Sequence, residues 1–77
     1  NQNVFNMYPN PVMNTVFVNA NTQNSQISIY DITGKVVLTK SLNLGENTIN
    51  VSQLASGVYL ARFVAEGNVQ TKKLIVQ

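Results

Sequence analysis

Apolar and polar residues alternate one by one along most of this chain. Val16 and Val18 alternate with Thr15, Phe17 and Asn19, Ile27 and Ile29 with Gln26, Ser28 and Tyr30, and Ile49 and Val51 with Asn50 and Ser52. Successive side chains of a β-strand point to opposite faces, so each run predicts a strand with one apolar face. A longer run, Val58 to Val64, places Tyr59, Ala61 and Phe63 on one side and Leu60, Arg62 and Val64 on the other. That pattern predicts a central strand with both faces partly covered. No segment repeats apolar residues at helical spacing over the roughly ten residues a stable helix needs.

Turn residues interrupt these runs at intervals suited to short strands. Thr33-Gly34 lies between Ile29-Tyr30 and Val36-Val37-Leu38, and Gly67-Asn68 between Phe63-Val64 and Val69. Glycine takes positive φ without a steric penalty, so both predict hairpins, the first with a bulge. Asn43 to Glu46 separates the fourth strand from the fifth, and Asn21 to Ser25 reads as a polar loop. In Tyr8-Pro9-Asn10-Pro11 the two prolines lock φ and remove two backbone donors, which pushes Tyr8 and Asn10 toward extended conformations. This segment predicts a corner after a short edge strand, Val4 to Met7, with the Tyr8 ring against the end of the fold. About seven antiparallel strands result, and at this spacing they predict an all-β domain, a small immunoglobulin-like β-sandwich, in a single domain covering residues 1–77.

Composition narrows what such a domain can do. The 77 residues contain no Cys and no His, so neither a disulfide framework nor an ordinary zinc or copper site is open to it. The apolar 44% must hold the fold, while only 10% of residues are charged. The net charge of +2, from scattered Lys35, Lys40, Arg62, Lys72 and Lys73 against Asp31, Glu46 and Glu66, is too small for a nucleic-acid footprint. No apolar run approaches the roughly 20 residues that span a bilayer, and no secretory signal opens the chain. If the protein is exported, these residues are expected to be a fragment of a larger secreted protein.

Catalysis finds little to work with. General acid–base chemistry draws on His or paired carboxylates, and the serines have no His to activate them. Asp31 reads as a residue capping the Thr33-Gly34 turn, and Glu46 and Glu66, each beside a glycine, as solvated loop charges. The expected protein is not an enzyme and has no cofactor, metal or small-molecule substrate. Phe17, Tyr30 and Tyr59 form a candidate sugar-stacking set, against the alternative that they are core or half-buried cover. Asn50-Val51-Ser52 matches a glycosylation sequon on a predicted strand and reads as structural.

Four blocks in order carry a resemblance: Tyr8-Pro9-Asn10-Pro11; Ile29, Tyr30, Asp31, Gly34 and Lys35; Leu54, Gly57 and Tyr59; and Lys72-Lys73-Leu74-Ile75-Val76-Gln77. Together they resemble the C-terminal sorting domain of the type IX secretion system, over about Tyr8 to Gln77. The resemblance implies a non-enzymatic signal at the end of a secreted protein of a Bacteroidota-type Gram-negative bacterium. It implies a covalently attached upstream cargo domain, passage from the periplasm through the outer membrane by the type IX translocon, and removal by a cell-surface sortase at the cell surface. It also implies that the final strand, Lys72 to Gln77, meets the export machinery. Two readings of Lys72 and Lys73 stand side by side, machinery contact and protection of an edge strand. The runner-up function is an immunoglobulin-like accessory module that binds polysaccharide or spaces an enzyme. Low charge and amide-rich strands leave edge-strand self-association as a further expectation.

Overall fold

The computed structural model describes residues 5–9 and 12–77, and its described residues form seven strands and no helix. The strands are β1 (Phe5–Tyr8), β2 (Thr15–Ala20), β3 (Ser25–Tyr30), β4 (Val36–Leu42), β5 (Gly45–Asn50), β6 (Gly57–Ala65) and β7 (Asn68–Val76). They make two antiparallel sheets, ordered β1-β2-β5 and β4-β3-β6-β7. The chain crosses between sheets after β2, β4 and β5. This is the expected immunoglobulin-like sandwich, built because each strand carries one apolar face that only a second sheet can cover.

The core is those faces. Val16, Val18 and Ile49 of the smaller sheet, with Val12 and Val51 beside them, meet Ile27, Ile29, Ala61, Phe63 and Leu74 of the larger one, all buried. Val51, expected within the fifth strand, lies one residue past β5. It is still buried, and its N–H donates to the Asn14 carbonyl. Val12 sits alongside β7 in a parallel bridge to Val76: its N–H donates to the Ile75 carbonyl, and its carbonyl accepts from the Gln77 N–H. The end of the terminal strand is thus held from both sides.

Several boundaries differ from the sequence reading. β1 runs to Tyr8, while Val4, Asn10 and Pro11 lie outside the described residues. Only Asn43 and Leu44 separate β4 from β5, since Gly45 and Glu46 already pair with β2. Ser25 begins β3, and β7 begins at Asn68. β6 is central as expected, between β3 and β7. Its two faces are not both covered, however: Tyr59, Ala61, Phe63 and Ala65 are buried, whereas Val58, Leu60, Arg62 and Val64 are exposed. A two-layer sandwich has no third layer to lay over them.

Candidate functional site

Each of the sequence blocks builds a local device. At the β3–β4 hairpin, Asp31 Oδ1 accepts hydrogen bonds from the Thr33 N–H (2.9 Å), the Thr33 hydroxyl (2.6 Å) and the Lys35 N–H (3.0 Å). The backbone closes the same turn, with Asp31 N–H donating to the Lys35 carbonyl and Gly34 N–H to the Asp31 carbonyl. Gly34 has φ of 91°, which an L side chain rarely adopts. The register shifts between Ile29 and Tyr30, which is the expected bulge. Asp31 is therefore a turn organiser, and Lys35 enters the hairpin through its backbone.

The hydrogen bonds from the Thr33 hydroxyl and then the Lys35 amide, helped by the Thr33 amide and the nearby Lys35 charge, hold the Asp31 carboxyl below its ordinary pKa against an opposing desolvation. A carboxyl depressed in the folded state stabilises the fold above its unfolded value of about 3.9, and this contribution is lost as pH falls through the folded value. The urea midpoint of the wild type is expected to fall between neutral pH and pH values below about 4, and to fall less in Asp31→Asn. Equal acid losses in both proteins would show that Asp31 is not the source.

The Leu54…Gly57-x-Tyr59 block builds the crossover into β6. Leu54 packs partly buried against the core, and its N–H donates to the Val51 carbonyl. Tyr59 is buried, with its hydroxyl donating to the Ala55 carbonyl at 2.6 Å. A tyrosine near the start of this strand, bonded back to the backbone a few residues upstream, is the tyrosine corner of immunoglobulin-like sandwiches. Gly57 opens β6 opposite Val76.

Tyr8, expected against the end of the sandwich, instead lies on the outer face of the smaller sheet. It pairs in register with Phe17, because Met7 is the β1 residue that turns inward opposite Val18. The two rings are 5.6 Å apart between centroids, and the Tyr8 hydroxyl donates to Glu46 Oε2 at 2.7 Å. That bond, with weaker contributions from desolvation and the Glu46 charge, raises the Tyr8 pKa above its ordinary value. Glu46 is a strand residue, not a loop charge. Pro9 follows directly and ends this edge strand.

Phe17, Tyr30 and Tyr59 are core or half-buried cover, and the candidate sugar-stacking set does not assemble. Tyr59 points into the core, Phe17 lies on the outer face of one sheet and Tyr30 on that of the other. A depression of about 660 Å³ at the β6–β7 turn end is lined by Ser25, Gln26, Asn43 and Glu66 among others. It holds one carboxylate. Among the described residues no group of three or more acidic, His or Cys side chains could hold a metal.

In the terminal strand, adjacent residues necessarily face opposite ways. Lys72 stands opposite buried Ala61 on the inward side of β7 and is half-buried, and Leu74 and Val76 continue that side into the core. Lys73 stands opposite Leu60 on the outward side and is exposed, with Ile75 beyond it. β4, at the other edge of the larger sheet, repeats the arrangement with Lys40 opposite Ile27. An inward-facing charge on an edge strand opposes pairing with another sheet, because a neighbouring strand would trap it. Lys72 and Lys73 thus do not form one patch.

The residue that the sequence reading overlooked is Asn47. It is buried on β5, its Oδ1 accepts from the Asn43 N–H at 2.9 Å, and its Nδ2 donates to the carbonyls of Asn43 (2.9 Å), Gly45 (3.1 Å) and Val18 (3.3 Å). One amide thereby ties the two-residue crossover from β4 to the strand it enters. An Asn placed between Glu46 and Thr48, at an inward position of an alternating strand, was the only signal.

The motif residues of this two-sheet domain shape a turn, a corner and a pinned terminal strand. Residues 6–77 match the family described as secretion system C-terminal sorting domain, and the chain belongs to that family. No curated protein matches the chain. The domain is a C-terminal sorting signal for type IX secretion, a family that is not catalytic. Membership implies attachment to upstream cargo, recognition by the secretion machinery, and export toward the cell surface or beyond it.

Proposed function

We propose that the domain is a folded handle by which cargo crosses the outer membrane of a Bacteroidota-type Gram-negative bacterium through the type IX translocon. Cargo and handle transit the periplasm, the translocon engages the terminal strand Lys72–Gln77, and a cell-surface sortase then removes the handle. The cargo is secreted or retained at the cell surface. Family membership over residues 6–77 carries this reading. The fold supports it: β7 is paired along its whole length with β6, and Val12 holds its end, so the last strand is presented in one shape and not as a loose tail.

Deleting Leu74–Gln77 would remove Leu74 and Val76 from the core, so that deletion tests folding as much as recognition. A cleaner experiment fuses residues 1–77 behind a periplasm-directed fluorescent protein and compares a type IX-competent host with an isogenic host lacking the translocon. Surface fluorescence is expected only in the former and only with the domain attached. Cargo that stays in the periplasm of the competent host, or reaches the surface of both, would overturn the reading.

A further inference from the structure

The outward face of the larger sheet carries five of the exposed large apolar side chains among the described residues. The strand register arranges it in rows: Val36, Tyr30, Leu60 and Lys73; Thr39, Ser28, Arg62 and Thr71; and Ser41, Gln26, Val64 and Val69. Val58 and Ile75 pair beyond the first row. Val36, Val58, Leu60, Val64 and Val69 are 47, 44, 45, 39 and 54% exposed. Among the described residues the other exposed large apolar side chains are Tyr8, on the opposite sheet, and Met13, Ile32 and Leu44 in the connections. Single exposed apolar residues are ordinary, but here Val36, Tyr30, Leu60, Val58 and Ile75 lie together on one side of a polar row that holds Arg62, with Val64 and Val69 on its other side, and such a grouping on one face marks a surface that becomes covered.

Charge on this face has one sign. Arg62 and Lys73 stand in the rows, and no carboxylate does. Asp31 sits in the turn beyond Tyr30 with its Oδ1 engaged by Thr33 and Lys35, and Glu66 lies in the β6–β7 turn. The smaller sheet carries Glu46 and none of the five cations of the chain. The apolar groups therefore surround cations alone.

We infer that this face, centred on Leu60 and Arg62, is the surface through which the sorting domain docks on an acidic protein partner in the export machinery, one that offers carboxylates flanked by apolar side chains. The inference rests on the sorting function proposed above and names the partner chemistry of that recognition. Charge decides the occupant. A two-fold pair of these faces would bring Arg62 and Lys73 of each copy to a surface whose rows supply no Asp or Glu from either. A bilayer would gain only about 1 kcal/mol from each of two cations. Size fits a transient encounter: six residues along β6 and four strands span roughly 20 by 14 Å at ~3.3 Å per residue and ~4.8 Å per strand, well short of the ~800 Å² per partner of a standard stable interface. A handle that must be released needs no more. The terminal strand joins this face through Lys73 and Ile75, while Lys72, Leu74 and Val76 serve the fold.

The test uses the same fusion. Arg62→Glu with Lys73→Glu is expected to cut surface-delivered cargo by about tenfold, and Arg62→Gln with Lys73→Gln by less, because an acidic partner is repelled by the first and merely unpaired by the second. Leu60→Thr with Val64→Thr removes apolar contact without changing charge and is also expected to reduce delivery. Lys35→Glu with Lys40→Glu, the same charge change elsewhere, is expected to stay within about twofold of wild type. Thermal unfolding of each purified domain confirms that it is folded. Folded face variants delivering cargo as wild type does would overturn the inference, as would equal losses from the Gln and Glu pairs. Binding to phosphatidylglycerol vesicles, or dimerisation in sedimentation, that is lost in the Arg62/Lys73 variants would overturn it in favour of lipid or of a second copy. Failure of the wild-type fusion to reach the surface would sink the sorting reading itself.

Discussion

Phe63→Ala is expected to destabilise the domain by about 3–5 kcal/mol, the range for emptying a fully buried aromatic site. Phe63 has no solvent exposure and lies on the central strand β6, opposite Ile27 of β3 and Gln70 of β7. The ring fills the middle of a core only two sheets thick, so few neighbours can move to close the space. A domain of this size has roughly 4–12 kcal/mol of total stability, at ~0.05–0.15 kcal/mol per residue. The substitution therefore removes about a quarter of it or more, and thermal unfolding followed by circular dichroism should show a midpoint lower by at least about 12 °C. Leu60→Thr, three residues away on the opposite face of the same strand, should change stability by about 0.5 kcal/mol or less. A Phe63→Ala midpoint within a few degrees of wild type would mean that the sandwich core does not hold the fold. If export requires a folded handle, the same variant should also leave its fused cargo in the periplasm.

Asn47→Leu should cost about 2–3 kcal/mol or more, although leucine branches at Cγ as asparagine does and suits a core position. The loss comes from the groups left behind. The Asn43 N–H and the Asn43 and Gly45 carbonyls are partly buried in the crossover, and each would be left without its present partner. A buried polar group without a hydrogen bond costs about 1–3 kcal/mol, so the sum outweighs any gain from added apolar surface. Asn47→Asp should be worse at neutral pH, since it sets an oxygen where Nδ2 now meets those two carbonyls. Urea unfolding at neutral pH checks both, and an Asn47→Leu midpoint equal to or above wild type would show that the amide network is dispensable.

Strand positions could be read from the chain because period two is a local property: Val16, Val18, Ile27, Ile29, Ala61 and Phe63 all fall on the buried faces that alternation assigns. Turns were legible for the same reason, since Asp31, Gly34 and Tyr59 act within four residues of themselves. The sandwich class and the sorting family also followed from the chain, the latter from four short blocks in order. Boundaries were less legible. β5 begins two residues early because Gly45 and Glu46 find partners in Ala20 and Asn19, far away in sequence.

What only the tertiary structure decided is which face meets what. Alternation divides Val58–Val64 into two sides but does not say how many layers will cover them, and the sheet order leaves the Leu60 side in water. The same holds for Lys72 and Lys73, adjacent in sequence yet turned to opposite faces of an edge strand, and for Tyr8, whose ring rests on Phe17 because β1 pairs with β2 in that register. Asn47 becomes a crossover tie only when Asn43, Gly45 and Val18 converge on it. The residues of this chain determine where strands run and turns fall, through local backbone and side-chain preferences. Pairing between distant strands, driven by burial of their combined apolar faces, determines which side chains remain outside as a surface for another molecule to recognise.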